Sequence, residues 1–453
     1  MSSEAAQRKK AENKFQAFSE ALEGGALQQV RKMLNALHPA EIAHLLESLP
    51  PPERNVLWEL VDPEDDGEVL LHVNDDVRAD LIRSMKKEEL VAATEGLDLD
   101  DLADLLRDLP DAVIGEVLHS MDAQHRRRLE AVLAYPEDTA GGLMNTDTIT
   151  VRGDVTLDVV LRYLRLRGEL PELTDSLIVV NRFDRYLGVL PLTDLLTSSP
   201  ELTVAEVMDR SVEAIDANLS AEEVAKIFED RDLVSAAVVD ENGALLGRIT
   251  IDDVVDVIRE EARQSLMGMA GLQEDEDLFA PVWKKAQNRW PWLAINLVTA
   301  FVASRIISAF EHTIGQLVAL AALMPIVAAV GGNTGNQTVA LIVRALALGQ
   351  VTPRNALRLL MKEAGVSLLN GVVWGSVVGM FAYMFYHDMM LAIVMGSALV
   401  LNLLIAALAG VLIPLTLRGL GRDPALGSSI LLTATTDSMG FLVFLGLATI
   451  FLI

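Results

Sequence analysis

The chain has 453 residues, contains no cysteine and carries a formal net charge of −27. The lack of cysteine excludes disulfides and thiolate metal sites, and the acidity argues against a nucleic-acid partner because phosphates would be repelled. The charge is uneven: residues 1–283 hold 27 basic and 59 acidic side chains, whereas residues 284–453 hold 10 and 5. The first residues lack the apolar core of a signal peptide, so we expect the acidic part in the cytoplasm.

Residues 1–25 form a polar N-terminal segment, and residues 26–135 predict several amphipathic helices separated by prolines. Two stretches of this region repeat: EIAHLLESLP over residues 41–50 and DLADLLRDLP over residues 101–110. In both, leucines recur at helical spacing and would form an apolar stripe. Repeated helix pairs of this kind predict an all-α superhelical domain.

A second repeat follows, in residues 176–196 and 235–255. Each copy predicts a strand, a tight turn, a second strand and then a helix. Another helix is expected before each copy, near residues 156–166 and 220–230. This part of the chain therefore predicts two α/β units in tandem.

These two units, expected over residues 136–208 and 209–255, resemble a pair of CBS domains. The resemblance implies an adenosine ligand, held by a Thr/Ser-x-x-Asp pattern at the end of the second strand. Thr250-x-x-Asp253 keeps that pattern, whereas Pro191 stands in place of the threonine in the first unit. We therefore expect at most one nucleotide, with ATP as a regulatory candidate, and a purely structural pair stays open as the alternative.

One long acidic amphipathic helix is predicted over residues 251–272, so that residues 256–283 form a connecting helix and linker. The remaining segment, residues 284–453, is apolar enough to predict five membrane-spanning helices. Their expected ranges are 290–310, 315–344, 364–386, 389–417 and 424–453.

Basic residues set the expected orientation of the spans, because cytoplasmic loops are enriched in lysine and arginine. One side of the predicted bundle carries all of the basic loop residues, namely Lys284, Lys285, Arg289, Arg354, Arg358, Lys362, Arg418 and Arg422. The loops on the other side carry only Glu311, His312, His387 and Asp388. We expect a multi-pass protein of the cell (inner) membrane, with its N-terminal domains in the cytoplasm and its C-terminus outside.

The second span contains an unusual polar stretch, GGNTGNQ, over residues 331–337. Lipid cannot satisfy amide side chains or a backbone exposed by glycine, so this stretch must face protein or a wet path. A helix-packing motif held by amide hydrogen bonds and a pore lining explain it equally well.

Asp437 is the only charged residue of the fifth span, and hydroxyl side chains surround it in the sequence TATTDSM. An isolated carboxylate deep in a span costs about 2.5–3.5 kcal/mol, and such residues commonly serve ions or protons. The alternatives are a protonated or hydrogen-bonded buried carboxyl, or an ion pair with Arg305 of the first span. Carboxylate, amide and hydroxyl oxygens are hard ligands that favour magnesium or calcium over zinc or copper.

A homodimer would place two copies of Asp437 face to face, which would form a small acidic ring of the kind that selects cations. The third span carries a stripe of small residues, Gly371, Gly375 and Gly379, suited to close helix packing. Packing within one chain is the commoner use of such a stripe.

The chain resembles the MgtE family of magnesium channels over nearly its whole length. The resemblance rests on four stretches: YPEDTAGGLM at 135–144, the segment 325–337 that ends in GGNTGNQ, GRDPAL at 421–426, and TATTDSMGF at 433–441. It implies a homodimer with a helical cytosolic domain, a CBS pair, a connecting "plug" helix and five spans. It also implies a pore lined by the second and fifth spans, with Asp437 as the selectivity residue and Gly332, Asn333 and Asn336 in the pore segment.

The resemblance further implies that cytosolic Mg²⁺ closes the pore by bridging acidic faces. The residues expected to bind these ions are Asp100, Asp104, Asp253, Asp256, Glu261 and Asp423. The chain departs from the family pattern one turn after Glu261, where Gln264 and Ser265 replace further acids.

We therefore predict a passive Mg²⁺-selective channel or transporter regulated from the cytoplasm. No ATP-hydrolysing P-loop or catalytic triad is found, so an enzyme is not expected. Two alternatives remain at this stage: transport of another divalent cation such as Co²⁺, and a membrane-anchored Mg²⁺ or nucleotide sensor without flux.

Overall fold

A computed structural model describes residues 27–270, 277–352 and 354–453 of the chain. The predicted segment 1–25 and the end of the predicted connecting helix, residues 271–272, lie outside the described residues. The chain divides into two compact units: the first comprises Met1–Ala262 and Asp275–Ala280, and the second comprises Arg263–Glu274 and Pro281–Ile453.

The first unit begins with short helices, as the proline spacing predicts. These are α1 (Leu27–Leu34), α2 (Pro39–Glu47), α3 (Pro51–Trp58), α4 (Asp66–His72), α5 (Asp75–Ser84), α6 (Lys87–Ala93), α7 (Leu99–Asp108), α8 (Asp111–Ser120) and α9 (Ala123–Leu133). Prolines open helices α2 and α3, since a fixed φ and a missing N–H suit a first helical turn. In the repeated leucine stripes, Leu46 and Leu106 are almost fully buried. The predicted all-α domain is therefore confirmed.

Two small three-stranded sheets follow, and they confirm the predicted tandem of α/β units. The strands are β1 (Thr150–Arg152), β2 (Ser176–Val180) and β3 (Tyr186–Pro191), then β4 (Ile215–Asp216), β5 (Ser235–Val239) and β6 (Leu245–Thr250). The helices are α10 (Leu157–Arg167), α11 (Leu192–Thr197), α12 (Val204–Val207), α13 (Ala221–Arg231) and α14 (Ile251–Ala270). Each sheet pairs its first strand in parallel with the second, which pairs antiparallel with the third.

Strands β1 and β4 were not predicted, because three and two residues are too few to show an alternating pattern. In both units the first strand pairs with the edge of the hairpin that the sequence does predict. The turn between β5 and β6 needs Gly243, whose φ of +78° lies in the left-handed region.

In the described part of the second unit, five helices are long and apolar enough to cross a membrane. These spans are α15 (Val282–Ala309), α17 (Ala319–Ala347), α18 (Ala356–Tyr386), α19 (Met389–Gly419) and α20 (Ser428–Phe451), with the short helix α16 (Glu311–Gln316) between the first two. The first and third spans begin eight residues earlier than predicted, since hydropathy detects only the apolar part of a helix that continues into polar sequence.

The glycine stripe of the third span packs within the chain, against the fourth span. A Cβ on Gly375 would lie 2.8 Å from the carbonyl oxygen of Gly396, and a Cβ on Gly379 would lie 2.8 Å from that of Ala392. The two backbones therefore touch, and only glycine fits. The stripe is used for intrachain packing.

A buried ion pair fastens the segment before the first span to the helical part of the first unit. Arg54 Nη2 lies 2.9 Å from Asp277 Oδ2, and the two side chains are only 1% and 3% exposed. The same guanidinium donates from Nε to the Leu46 carbonyl at 2.9 Å and from Nη2 to that of Leu49 at 3.1 Å. Asp277 Oδ1 accepts the Phe279 N–H at 2.9 Å.

We predict that Arg54→Ala destabilises the first unit by about 3–5 kcal/mol, because it leaves a buried carboxylate without its cation. Thermal unfolding of the purified chain should show a lower first transition. The matched control is Arg83→Ala, which removes an exposed pair with Asp80 and should cost at most about 1 kcal/mol. Equal effects of the two substitutions would contradict the prediction.

Candidate functional site

The polar stretch of the second span packs directly on the fifth span. A Cβ on Gly332 would lie 3.9 Å from Thr436 Oγ1, and a Cβ on Gly335 would lie 2.7 Å from Leu432 Cδ2. One turn further along, Ser429 Oγ donates to Asn336 Oδ1 at 2.9 Å. In these contacts the residue numbers increase along the second span and decrease along the fifth, so the two spans are antiparallel neighbours.

Asp437 lies near the middle of the fifth span and has no partner among the described residues. It is the tenth residue of a helix that starts at Ser428, which places it about 14 Å along the axis. The side chain is half-buried. Throughout the part of the chain that the structure describes, it forms no ion pair or hydrogen bond, and Arg305 is exposed rather than paired with it.

The hydroxyl groups around Asp437 donate to their own helix. Thr433 Oγ1 donates to the Ser429 carbonyl at 2.9 Å, and Thr436 Oγ1 donates to that of Leu432 at 3.1 Å. A hydroxyl oxygen that has placed its hydrogen in this way still offers lone pairs. The surroundings of Asp437 thus present acceptors, which suit a cation or its bound water.

The three predicted pore residues of the second span differ in their surroundings. Asn333 is exposed on the surface of the single chain, and Gly332 is half-buried beside Thr436. Asn336 uses its amide oxygen to bind Ser429 of the fifth span. Asn336 therefore serves helix packing, whereas the Asn333 amide has no hydrogen-bond partner among the described residues.

Glu363 is a carboxylate near this site that the sequence reasoning missed, because residue 363 was placed in the loop before the third span. The third span begins at Ala356 and includes Glu363. Its Oε2 accepts a hydrogen bond from Thr338 Oγ1 at 3.4 Å, so it faces the second span two residues after Asn336.

The first unit contains an acidic cluster, defined here as Asp100, Asp101, Asp104, Asp252 and Asp253. Burial, followed by the charges of the other members, raises the pKa of Asp253 to about 9. Burial and the neighbouring Asp100 raise the pKa of Asp101 to about 7. Asp100 and Asp104 therefore lie near enough to Asp253 for their charges to act on it, and their binding of Mg²⁺ stays a prediction.

Polar neighbours partly offset the charge at two positions of the cluster. Burial raises the pKa of Asp100 to about 6, although Asn145 Nδ2 donates to its Oδ1 at 3.1 Å. Burial also raises the pKa of Asp104 to about 6, although Arg107 Nη1 lies 3.0 Å away. The doublets Asp100-Asp101 and Asp252-Asp253 were the sequence signal for the two members that were missed.

Three further residues outside the cluster were predicted to bind metal. Asp256 is exposed. Burial lowers the pKa of His72, and the charge of Asp256 offsets that effect only in part. Burial and then Glu222 raise the pKa of Glu261. Asp423 belongs to the second unit, where its Oδ1 accepts the Ala425 N–H at 2.8 Å.

The predicted nucleotide residues are bonded to each other. Thr250 is buried, and its hydroxyl donates to Asp252 and, at 3.4 Å, to Asp253 Oδ2. A bound nucleotide would therefore have to replace these contacts and approach the acidic cluster.

The donor chemistry of the cluster fits Mg²⁺, since its ligands would be carboxylate and amide oxygens. Within residues 27–270, 277–352 and 354–453, however, no three His, Asp or Glu side chains converge as a closed metal site. Mg²⁺ keeps several waters and commonly takes only one or two carboxylates. The cluster therefore suits hydrated ions better than a dehydrated one.

Comparison with known proteins places the chain in a family. It matches models of the MgtE intracellular N domain (residues 37–138), the CBS domain (140–201 and 204–260) and a divalent cation transporter domain named MgtE (324–447). It is 34% identical to the magnesium transporter MgtE of Thermus thermophilus over 441 residues, which cover 96% of this chain and 98% of that protein. The chain belongs to the MgtE family of magnesium transporters.

Other MgtE proteins give the same result. The Bacillus subtilis magnesium transporter MgtE is 29% identical over 431 residues, covering 95% of this chain and 96% of that protein. A crystal structure of the cytosolic domain of the Mg²⁺ channel MgtE in complex with ATP is 34% identical, with a TM-score of 0.48, and covers 54% of this chain and 99% of that one. The family models and the two full-length relatives confirm the family resemblance drawn from the sequence.

We predict that stability falls with rising pH when Mg²⁺ is absent. The cluster carboxyls have raised pKa values, so the folded state binds protons that the unfolded state has lost. Their contribution is present at low pH and disappears as the pH rises through the folded pKa values. Between about pH 6 and pH 8 the free energy of unfolding of the first unit should fall by about 2 kcal/mol.

Thermal unfolding at both pH values, with and without Mg²⁺, measures this effect. Mg²⁺ should stabilise the protein more at the higher pH, because ionised carboxylates bind it without releasing protons. Asp253→Asn should remove much of the pH dependence, whereas Glu241→Gln in the exposed β5–β6 turn should leave it unchanged. If stability without Mg²⁺ did not change with pH, the cluster carboxyls would not hold protons in the folded state and the prediction would be wrong.

Proposed function

We propose that this MgtE protein is a Mg²⁺-selective channel that carries the ion passively into the cell and closes when cytosolic Mg²⁺ is high. The N-terminal domains lie in the cytoplasm, and the C-terminus lies outside the cell (inner) membrane. The asymmetry of basic loop residues supports this orientation. Transport is the protein's activity, and no chemical reaction is assigned to it.

The unpaired carboxylate of Asp437 carries the proposal. A charged group in the middle of a membrane span requires water, an ion or a counter-charge. Among the described residues it has no counter-charge, and it lies one residue after Thr436, which faces Gly332 of the polar stretch. Of the partners that remain, namely water, a cation and a proton, we assign water and a cation, because the neighbouring hydroxyl groups present acceptor oxygens.

Hydrated Mg²⁺ suits this environment better than a dehydrated ion. Mg²⁺ gives up its waters reluctantly and is commonly held by one or two carboxylates. The hydroxyl oxygens of Thr433 and Thr436 can accept hydrogen bonds from those waters, because both have donated their own hydrogens to the helix. Two chains paired about an axis would supply two carboxylates, so we propose a homodimer as the conducting form.

Asp437→Asn should reduce Mg²⁺ uptake into proteoliposomes by at least about tenfold, which corresponds to about 1.4 kcal/mol in the barrier. The substitution keeps the shape of the side chain and removes its charge. Glu311→Gln, an exposed acid between the first two spans, is the control and should transport normally. Unchanged Mg²⁺ uptake by the Asp437 variant would favour a sensor without flux, and preferred uptake of Co²⁺ by the unmodified chain would change the assigned ion.

The acidic cluster supports closure by cytosolic Mg²⁺. It joins carboxylates of helix α7 to those at the start of helix α14, and these charges repel one another when ionised. Divalent ions would relieve that repulsion and hold the two helices together. Helix α14 continues to Ala270. We propose that the cluster acts on the spans through the position of this helix.

The internal Mg²⁺ concentration that halves the current should rise by about tenfold or less in Asp253→Asn, since the substitution removes one carboxylate from a site with several. Patch-clamp recording of inside-out membranes measures this value. Glu241→Gln is again the matched control, and its half-inhibition should match that of the unmodified chain. If the Asp253 variant had the same half-inhibiting Mg²⁺ concentration as the unmodified chain, the cluster would have no part in closing the channel.

We also propose ATP as a regulatory ligand at Thr250 and Asp253, supported by the Thr-x-x-Asp pattern at the end of β6. The acidic cluster would repel a bare triphosphate. Binding as the magnesium complex is therefore the form that suits this site.

A further inference from the structure

The fourth span places one amide side chain between the two spans of the proposed ion path. Asn402 is 0% exposed, and its Nδ2 donates to the Val327 carbonyl of the second span at 2.9 Å. Val327 lies one turn before Gly331, where the polar stretch begins. The amide therefore ties the fourth span to the pore segment.

Two glycines make room for this amide. A Cβ on Gly331 of the second span would lie 2.2 Å from Asn402 Nδ2, and a Cβ on Gly440 of the fifth span would lie 2.8 Å from the same atom. A larger residue at either position would have to displace the Asn402 side chain. Asn402 thus touches the backbones of both spans, beside Gly332 on one and three residues after Asp437 on the other.

The amide is retained at an energetic cost. Its Oδ1 is buried, and no protein group among the described residues donates to it. A buried unsatisfied acceptor is unfavourable, and an apolar side chain of similar shape would avoid that penalty. A polar residue at this position therefore suggests a role other than stability.

We propose that Asn402 is a positioning residue for ion selection, which sets the spacing between the second and fifth spans at the level of Gly332 and Thr436. The proposal rests on the proposed function of Asp437 as the residue that meets the ion. Selectivity depends on how far the carboxylate and hydroxyl oxygens stand from the hydrated ion. A spacer fixed by one directional hydrogen bond and two glycine contacts holds that distance constant.

Flux measurements test the proposal against a merely structural role. Asn402→Leu keeps the branched shape with a bulkier side chain and removes the directional bond, whereas Asn402→Ala also removes the spacer. Both should lower the ratio of Mg²⁺ to Ca²⁺ uptake per folded protein by about tenfold, the change expected for about 1.4 kcal/mol of discrimination. Ser367→Ala, which alters a buried hydroxyl of the third span, should leave the ratio unchanged.

A second measurement is independent of transport and uses the absence of native cysteine. Gly332→Cys with Thr436→Cys places two thiols at a separation suited to a disulfide, since a Cβ at 332 lies 3.9 Å from Thr436 Oγ1. Oxidation should cross-link this pair quickly when Asn402 is present and several times more slowly with Asn402→Ala. Loss of maleimide labelling reports the cross-link.

The outcomes separate the two proposals. If the unmodified chain transports Mg²⁺ and Asp437→Asn does not, but both Asn402 variants keep the wild-type ratio, the positioning role is wrong and the transport role stands. If Asp437→Asn transports normally, the transport role fails, and the cross-linking rate alone decides whether Asn402 sets the spacing. Equal cross-linking rates with and without Asn402, or no cross-link in the Asn402 chain, would overturn it.

Discussion

A carboxylate in the middle of an apolar helix bundle must find water, an ion or a counter-charge, and the rest of the second unit can be understood from that requirement. Asp437 finds no counter-charge among the described residues. The fifth span therefore cannot be an ordinary lipid-facing helix along its whole circumference. Gly335 packs against Leu432 of the fifth span, Gly331 and Gly440 make room for Asn402 beside the two spans, and the hydroxyls beside Asp437 donate their hydrogens to their own backbone. Under the proposed function, this close packing and the acceptor oxygens would form a polar path that suits hydrated Mg²⁺.

The same physics operates in the acidic cluster of the first unit. There the carboxylates repel one another and are partly buried, so their pKa values rise and protons stabilise the folded state. A divalent cation can replace those protons near neutral pH. Under the proposed function, one chain would use carboxylates in two ways: a lone one to meet the transported ion and a crowded set to respond to its concentration. The crowded set belongs to the start of α14, which leads along the chain toward the spans.

Much of this fold follows from the sequence because its signals are long and periodic. Five apolar runs predict the five spans, and the repeated strand-turn-strand-helix pattern predicts both α/β units. The failures have local causes: β1 and β4 are too short to show a pattern, and Glu363 was placed outside a helix whose polar end hydropathy does not detect. Asn402 carried no signal at all, because a single asparagine in an apolar span does not reveal that glycines from two other helices surround it. Only the packed structure shows that contact.

The most direct test of the central claim is the water accessibility of position 437. In this cysteine-free chain, Asp437→Cys can be treated with a charged, membrane-impermeant thiol reagent, which reacts only with a hydrated thiolate. A position on a wet ion path should react rapidly, and Mg²⁺ should slow the reaction by occupying the path. Met439→Cys, on an exposed part of the same helix, is the comparison for a lipid-facing site. A thiol at 437 that reacts no faster than the one at 439, with or without Mg²⁺, would contradict the claim that Asp437 faces a water-filled path.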